Sequence, residues 1–249
     1  MTDPDTVRFL SRPDGIALAY RRRTGTEPTL LFLPGYASDM NGAKALALDS
    51  FAESRGLSMV RFDYSGTGHS QGQFEDGTLS TWVDDALLIV DELTEGPLLV
   101  VGSSMGGWIA LHLALRRPER VQAIVGIAAA PDFTEWGYSA EEKAILAVEG
   151  RLEQPSPYGG DPQLTTRGFW QSGQSLRLLD APIDIAVPVR LIHGDRDQEV
   201  PPAIAERLKG QLRSADVQMT IVKGGGHRLS EPHEIATILR TVAGLLESP

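Results

Sequence analysis

The chain contains no cysteine, has fewer basic than acidic residues and lacks any long hydrophobic run. Without cysteine, the sequence excludes a disulfide framework, a thiolate nucleophile and a zinc or iron–sulfur site with cysteine ligands. Its 23 Lys and Arg against 33 Asp and Glu give a formal net charge of −10, which disfavours binding to nucleic acid or to anionic membranes. No apolar run approaches the roughly 20 residues that a membrane-spanning helix needs.

The acidic start of the chain, Met1 to Asp5, has neither the apolar core of a signal peptide nor an Arg-rich transit helix. We therefore expect a soluble cytoplasmic protein. A length of 249 residues suits one large domain or two small ones. Because no internal repeat, linker or low-complexity tract divides the chain, we expect a single domain over 1–249. No feature of the sequence predicts an oligomeric state.

Short runs typical of β-strands alternate with longer runs of helical periodicity. The strand-like runs are 16–22, 30–33, 57–62, 98–101, 121–128, 189–192 and 217–222, and the helical runs are 43–55, 79–93, 108–115, 141–152, 203–212 and 235–246. Thr78 is expected to cap the second helix. This alternation predicts an α/β fold with a mostly parallel central sheet flanked by helices, and with an early antiparallel strand at its edge.

The alternation is lost between residues 130 and 187, and we interpret residues 131–184 as a cap inserted into the domain. This segment is rich in aromatic side chains: Trp136, Tyr138, Tyr158, Phe169 and Trp170. Most of these rings are expected to pack the cap onto the sheet. Because a cap over a cleft leaves apolar surface facing it, Trp136, Phe169 and Trp170 are also candidates for binding a substrate.

The most informative motif is Gly-Ser-Ser-Met-Gly at 102–106, which fits the pattern G-x-S-x-G with Ser104 at its centre. A buried strand precedes it and a helix follows it. In that context the glycines allow a tight strand-to-helix turn that exposes the serine oxygen. An idle serine in a glycine-rich turn is the alternative. We predict that Ser104 is a nucleophile.

A serine nucleophile needs a base and an acid that orients the base. Asp197 follows the strand 189–192, and His227 follows the strand 217–222 after three glycines. Both lie at carboxyl ends of strands, where parallel sheets build their sites, and both come in the chain order acid then histidine. We therefore predict the triad of Ser104, Asp197 and His227, although each residue alone could be an ordinary loop residue.

Other candidates fit these roles less well. Asp195 is the rival acid, but its distance from the following Val-Pro pair favours Asp197. The remaining histidines are interpreted as surface, loop or core residues: His69, His112, His193 and His233. No two histidines stand at metal-ligand spacing with a carboxylate, so we expect neither a metal nor another cofactor.

Hydrolysis at a serine also needs two backbone N–H groups that bind the developing oxyanion. Met105 follows the nucleophile and supplies one by geometry. The second is expected from the loop after strand 30–33, where Tyr36 is the best candidate. The glycine-rich loop 63–68 lacks both the spacing and the basic residue of a nucleotide site, so we interpret it as structural.

With these residues in place, the sequence resembles the α/β-hydrolase superfamily. More narrowly it is similar to the family of the mammalian mitochondrial palmitoyl-protein thioesterase that also acts as an acyl-glucuronide esterase. The resemblance is carried by 34–47, 61–66, 102–108, 193–201 and 227–228. G-x-S-x-G is common to the superfamily, whereas Met-Asn-Gly-x-Lys-Ala-Leu-Ala (40–47) and Arg-Phe-Asp-Tyr-Ser-Gly (61–66) are more particular.

The resemblance implies Ser104, Asp197 and His227 as the triad and hydrolysis of acyl thioesters or esters. The substrate would be a small-molecule or lipid-acyl ester or thioester, or an acylated protein, with no nucleic acid and no membrane span. Three alternatives stay open: a carboxylesterase for small esters, a C–C bond hydrolase with the same triad, and a ligand-binding protein without turnover. The cap matches the family least, so the substrate is the part least determined.

Overall fold

The computed structural model describes residues 6–156, 159 and 162–247. Its strands, in chain order, are β1 (Arg8–Ser11), β2 (Ala17–Arg23), β3 (Thr26–Leu33), β4 (Leu57–Phe62), β5 (Leu98–Ser103), β6 (Val121–Ile127), β7 (Arg151–Gln154), β8 (Gln163–Thr166), β9 (Val189–Gly194) and β10 (Val217–Val222). Eight of them form one sheet in the order β1-β2-β4-β3-β5-β6-β9-β10, while β7 and β8 form a separate pair.

Only the edge of the large sheet is antiparallel. β1 pairs antiparallel with β2, and β2 pairs antiparallel with β4. All other neighbouring strands of this sheet run parallel. The mostly parallel sheet with an antiparallel edge is therefore confirmed. Because parallel strands end on the same side, the loops after β3, β5, β9 and β10 meet at one edge.

The helices are α1 (Ala43–Arg55), α2 (Leu79–Leu93), α3 (Met105–Arg116), α4 (Phe133–Trp136), α5 (Ala140–Glu149), α6 (Arg167–Ser175), α7 (Pro202–Gln211) and α8 (Pro232–Leu246). A 3₁₀ turn covers Phe74–Asp76. Thr78 caps α2 as predicted, because its side chain accepts a hydrogen bond from the Thr81 N–H. In the described part of the chain, no helix combines the length and apolarity that crossing a membrane requires.

Two apolar layers cover the two faces of the sheet. Trp82 of α2 and Trp108 of α3 are buried on one face. Leu48 of α1 and Ile238 of α8 are buried on the other. The central parallel strands are buried on both faces, as in β5, where every residue is buried, whereas β10 at the far edge is largely exposed. Full burial of one such large apolar side chain stabilises the fold by about 1.5–3 kcal/mol.

The segment between β6 and β9 contains α4, α5, the β7–β8 pair and α6, and we call it the insertion. The predicted helix 141–152 is wrong at its end. α5 stops at Glu149 because Gly150 adopts a left-handed conformation with φ 85°, and β7 begins at once. Tyr158 and the first five residues lie outside the described residues. The division into one domain with a cap at 131–184 stays a prediction.

Candidate active site

Three polar side chains from three different loops form a continuous chain of hydrogen bonds. Ser104 follows β5, Asp197 follows β9 and His227 follows β10. His227 Nε2 lies 3.0 Å from Ser104 Oγ, and His227 Nδ1 lies 2.9 Å from Asp197 Oδ2. Because a carboxylate only accepts hydrogen bonds, the Nδ1 atom carries the proton. Nε2 of the neutral imidazole is then free to accept the serine proton.

Ser104 stands in a strained backbone conformation between β5 and α3. Its φ of 54° and ψ of −118° lie outside the regions that a serine normally adopts. The two glycines of the motif make this turn possible. A Cβ on Gly106 would lie 2.1 Å from the Leu33 carbonyl oxygen, and one on Gly102 would lie 2.3 Å from the Gly106 carbonyl oxygen. Neither position accepts a side chain, so the backbone packs closely around the half-buried serine.

The loop after β3 passes directly beside the serine. A Cβ placed on Gly35 would be 3.3 Å from Ser104 Cβ and 4.0 Å from Ser104 Oγ. Tyr36 follows Gly35, and Met105 opens α3. Within the described residues, no acceptor takes the backbone N–H of Tyr36 or of Met105. Two unpaired donors thus lie in the segments that flank Ser104, as an oxyanion hole requires.

The Asp197 side chain is completely buried, at 0% exposure, and its carboxylate is held by several donors. Its Oδ1 atom accepts hydrogen bonds from the backbone N–H groups of Glu199 and Val200, at 3.0 and 2.9 Å. Burial alone would raise the pKa of Asp197. Hydrogen bonds from His193, His227 and the Val200 N–H outweigh burial and hold this pKa well below its usual range. The surroundings of Asp197 therefore favour its ionised, carboxylate form.

Asp195, the rival acid, has a different partner. It is exposed, and its Oδ1 atom accepts a hydrogen bond of 2.6 Å from the Gly224 N–H. Asp195 thus anchors the start of the three-glycine loop that carries His227. Asp197, and not Asp195, lies within hydrogen-bond distance of the His227 imidazole.

Lys44 fastens the other side of the His227 loop, a role that the sequence analysis did not foresee. Its ammonium group donates a hydrogen bond to the Arg228 carbonyl oxygen. Burial and the neighbouring charge of Arg228 lower the pKa of Lys44 to about 8, while Glu234 opposes the shift. Lys44 belongs to the stretch 40–47, which was used above only for its resemblance to a family.

The stretches 40–47 and 61–66 contact each other. Asp63 accepts a hydrogen bond of 2.7 Å from the Met40 N–H, and Arg61 donates one of 2.9 Å to the Met40 carbonyl oxygen. Both charged groups are almost completely buried, at 0% and 1% exposure, and burial raises the pKa of Asp63. Arg61 of β4 and Asp63, which directly follows β4, therefore hold the loop that begins at Gly35 through both backbone polar groups of Met40.

The predicted substrate-binding rings lie in different surroundings. Phe169 is 1% exposed and packs in an aromatic cluster whose members are Tyr36, Phe74, Trp82, Phe133 and Phe169. Trp136 and Trp170 are half-buried, with their indole N–H groups bonded to the Pro131 and Thr134 carbonyl oxygens. Their role in binding a substrate stays a prediction.

Tyr36 connects the loop beside Ser104 to the insertion. Its hydroxyl donates a hydrogen bond of 2.5 Å to the Leu164 carbonyl oxygen in β8. Its ring centroid lies 4.7 Å from that of Phe169 and 6.0 Å from that of Phe133. Phe133 was not among the predicted site residues, although its place just after β6 is a signal that could have indicated it.

Comparison with known proteins places this geometry in context. A family model described as alpha/beta hydrolase fold matches residues 28–148. The Homo sapiens protein "Palmitoyl-protein thioesterase ABHD10, mitochondrial" is 38% identical over 246 residues, which cover 97% of this chain and 80% of that protein. The Mus musculus protein of the same name is 38% identical, with 97% and 83% covered.

Solved structures agree with the sequence comparison. The structure of alpha/beta hydrolase domain-containing protein 10 from mouse superposes with a TM-score of 0.91 at 37% identity, covering 97% of this chain and 98% of that one. A structure from Agrobacterium vitis gives the same score and identity, with 97% and 99% covered. The mammalian relatives carry "mitochondrial" in their names, which does not support the cytoplasmic location expected above; that location stays a prediction.

Proposed function

Because this chain belongs to the α/β-hydrolase superfamily and, within it, to the family of palmitoyl-protein thioesterase ABHD10, we propose that it is a serine hydrolase of acyl thioesters or esters. The homology supports an acyl hydrolase. The observation that carries the serine mechanism is the hydrogen-bonded chain from Ser104 through His227 to Asp197, at 3.0 and 2.9 Å.

The first half of the proposed reaction forms an acyl-enzyme. His227 Nε2 takes the proton of Ser104 Oγ while this oxygen attacks the acyl carbonyl carbon. The negative charge that develops on the carbonyl oxygen is bound by the backbone N–H groups of Met105 and Tyr36. The bond from the carbonyl carbon to the leaving sulfur or oxygen then breaks, and His227 returns the proton to that atom.

The second half regenerates the serine. A water molecule attacks the acyl carbon while His227 Nε2 accepts one of its protons. The carbon–Oγ bond breaks, Ser104 Oγ takes the proton back from His227, and the carboxylic acid leaves. Asp197 holds the imidazole tautomer in both halves and stabilises the imidazolium that forms twice. A thiolate leaving group needs little protonation, so one machinery serves thioesters and oxyesters.

The substrate class follows from the relatives' names and from the aromatic cluster. The names of the mammalian relatives specify a palmitoyl-protein thioesterase, which suggests a long acyl chain. The Tyr36 and Phe133 rings are only half-buried, and Tyr36 follows the residue that lies against Ser104. We therefore assign the acyl chain to the surface formed by these rings, with an acyl thioester as the preferred substrate.

The proposal is tested on the purified chain by labelling with a fluorophosphonate probe and by turnover of matched acyl thioesters and p-nitrophenyl esters. We expect covalent labelling of one serine and hydrolysis of both series. A protein that resists the probe would be the ligand-binding alternative. Labelling without turnover of either series would contradict acyl hydrolysis and favour the C–C bond hydrolase.

Within the ester series, kcat/KM is expected to rise from acetyl to at least octanoyl. Burial of each methylene contributes about 0.8 kcal/mol, which corresponds to at most about a fourfold gain per methylene. Phe133→Ala should flatten this rise and leave acetyl-ester hydrolysis nearly unchanged. Val148→Ala is the matched control, because Val148 lies in the insertion but is 81% exposed.

The same measurement decides against the small-ester alternative. If acetyl esters are the best substrates and longer chains react progressively more slowly, the long-acyl assignment is wrong. The carboxylesterase for small esters would then be the better description of the chain.

A further inference from the structure

A second histidine contacts the acid of the candidate triad. His193 is the fifth residue of β9 and is 1% exposed. Its Nε2 atom lies 2.8 Å from the Val200 carbonyl oxygen and 3.3 Å from Asp197 Oδ2. The sequence analysis expected His193 only to pack or to bond within its loop.

The two partners determine which nitrogen of His193 carries the proton. A carbonyl oxygen and a carboxylate oxygen are both acceptors and cannot donate. The Nε2 atom is therefore the protonated nitrogen: its N–H donates to the Val200 carbonyl oxygen, and the same atom lies 3.3 Å from Asp197 Oδ2. Asp197 Oδ2 in turn faces two imidazoles, with His227 Nδ1 at 2.9 Å on its other side.

These bonds form a closed frame around the carboxylate. The Val200 N–H donates to Asp197 Oδ1 at 2.9 Å, and the Val200 carbonyl accepts from His193. Val200 contacts Asp197 Oδ1 and is also bonded to His193, which contacts Asp197 Oδ2. The groups around the two oxygens of Asp197 are therefore bonded to each other. Because His193 belongs to the buried strand β9, it gives this frame a rigid support that a loop residue could not provide.

We propose that His193 is a positioning residue that shares the Asp197 carboxylate with His227 and so limits the negative charge that His227 feels. The inference rests on the proposed function, in which Asp197 orients the base. A hydrogen bond to a carboxylate withdraws charge from it. Without the His193 donor, Asp197 keeps more of its negative charge and stabilises the charged form of His227 more strongly.

Other charged groups around the two imidazoles stay the same when His193 is replaced. Asp195 and Lys44 hold the His227 loop through Gly224 and Arg228, and Glu234 of α8 approaches Gly225. Glu199 bonds to Asp197 through its backbone N–H. A change in the pH profile of activity in a His193 variant is therefore assigned to the lost donor.

The test compares His193→Leu, which removes the donor, with His193→Gln, which keeps an amide N–H able to reach the same acceptors. kcat/KM is measured against pH and divided by the concentration of sites that react with a fluorophosphonate probe. For His193→Leu we expect the acidic limb to move up by about half to one pH unit. Activity at pH values below this limb should then fall about three- to tenfold. His193→Gln should keep the wild-type profile.

An acidic limb that stays in place in His193→Leu, with only fewer reactive sites, would mean that His193 is merely structural and would overturn the proposal. A measurement without any variant covers the case in which His193→Leu does not fold. Long-range ¹H–¹⁵N NMR of the wild-type protein should find the His193 proton on Nε2, and a proton on Nδ1 would overturn the proposal equally. Failure of the proposed function is distinct, because the wild-type protein would then show no turnover at any pH.

Discussion

Replacement of Ser104 by alanine is expected to lower kcat by about 10⁶-fold and to abolish labelling by a fluorophosphonate probe. The variant loses the oxygen that lies 3.0 Å from His227 Nε2. It keeps the backbone N–H groups of Tyr36 and Met105, so any residual hydrolysis would report substrate binding and the proposed oxyanion hole. The measurement is steady-state hydrolysis of an octanoyl ester together with probe labelling on a gel.

Ser103→Ala is the control for this prediction. Ser103 ends β5 and is 8% exposed, so the substitution alters the same turn without touching His227. We expect it to retain labelling and a substantial part of the activity. The thermal midpoint of Ser104→Ala should stay close to that of the wild type, because alanine preserves the Cβ that packs against Gly35. Full activity in Ser104→Ala would refute the assignment of the nucleophile.

Asp197→Asn is expected to lower kcat by about 10⁴-fold, the loss found for the same change in a well-studied triad. The amide cannot carry the charge that stabilises the imidazolium. If its NH₂ group faces His227, it also selects the wrong tautomer and leaves Nε2 protonated before the reaction. The effect should appear in kcat at every pH, because the amide does not titrate.

The matched variant for this second prediction is Asp195→Asn, which keeps an oxygen able to accept the Gly224 hydrogen bond. Its kcat is expected to fall only a few-fold. Since the two aspartates lie two residues apart in one loop, they share nearly the same long-range electrostatic environment. If Asp195→Asn caused the large loss of kcat instead, the acid of the triad would be Asp195. The hydrogen-bond chain described above would then not be the catalytic one.

The framework of the fold could be predicted because each element carries its own signals. α1 ends at Arg55 because Gly56 takes the left-handed conformation that stops a helix. The bounds of α1, β4 and β10 agree with those expected from the sequence. The proximity of Ser104, Asp197 and His227 could be predicted because parallel strands end at a single edge of the sheet.

What could not be predicted depends on contacts between distant parts of the chain. The periodicity of α5 continues into Arg151 and Leu152, but these residues pair with Thr166 and Thr165 of β8. No local pattern encodes that pairing. Lys44 was missed as a support of the site for the same reason, because the Arg228 carbonyl oxygen that it contacts is far away in the sequence. His193 contacts Asp197 and Val200, four and seven residues further on, and was missed because the path of the loop that follows β9 is not encoded in a local pattern.

The hydrogen bond from Tyr36 to Leu164 restricts how freely the insertion can be exchanged between relatives. The backbone of Tyr36 lies in the segment that flanks Ser104. The Tyr36 hydroxyl, in contrast, is hydrogen-bonded to β8 of the β7–β8 hairpin. A chimaera that receives a foreign insertion without a carbonyl oxygen at the same point leaves the half-buried Tyr36 hydroxyl without this partner, at a cost of up to about 1–3 kcal/mol. We therefore expect an exchange of the insertion to change turnover as well as specificity. A new insertion needs a compatible residue at position 36.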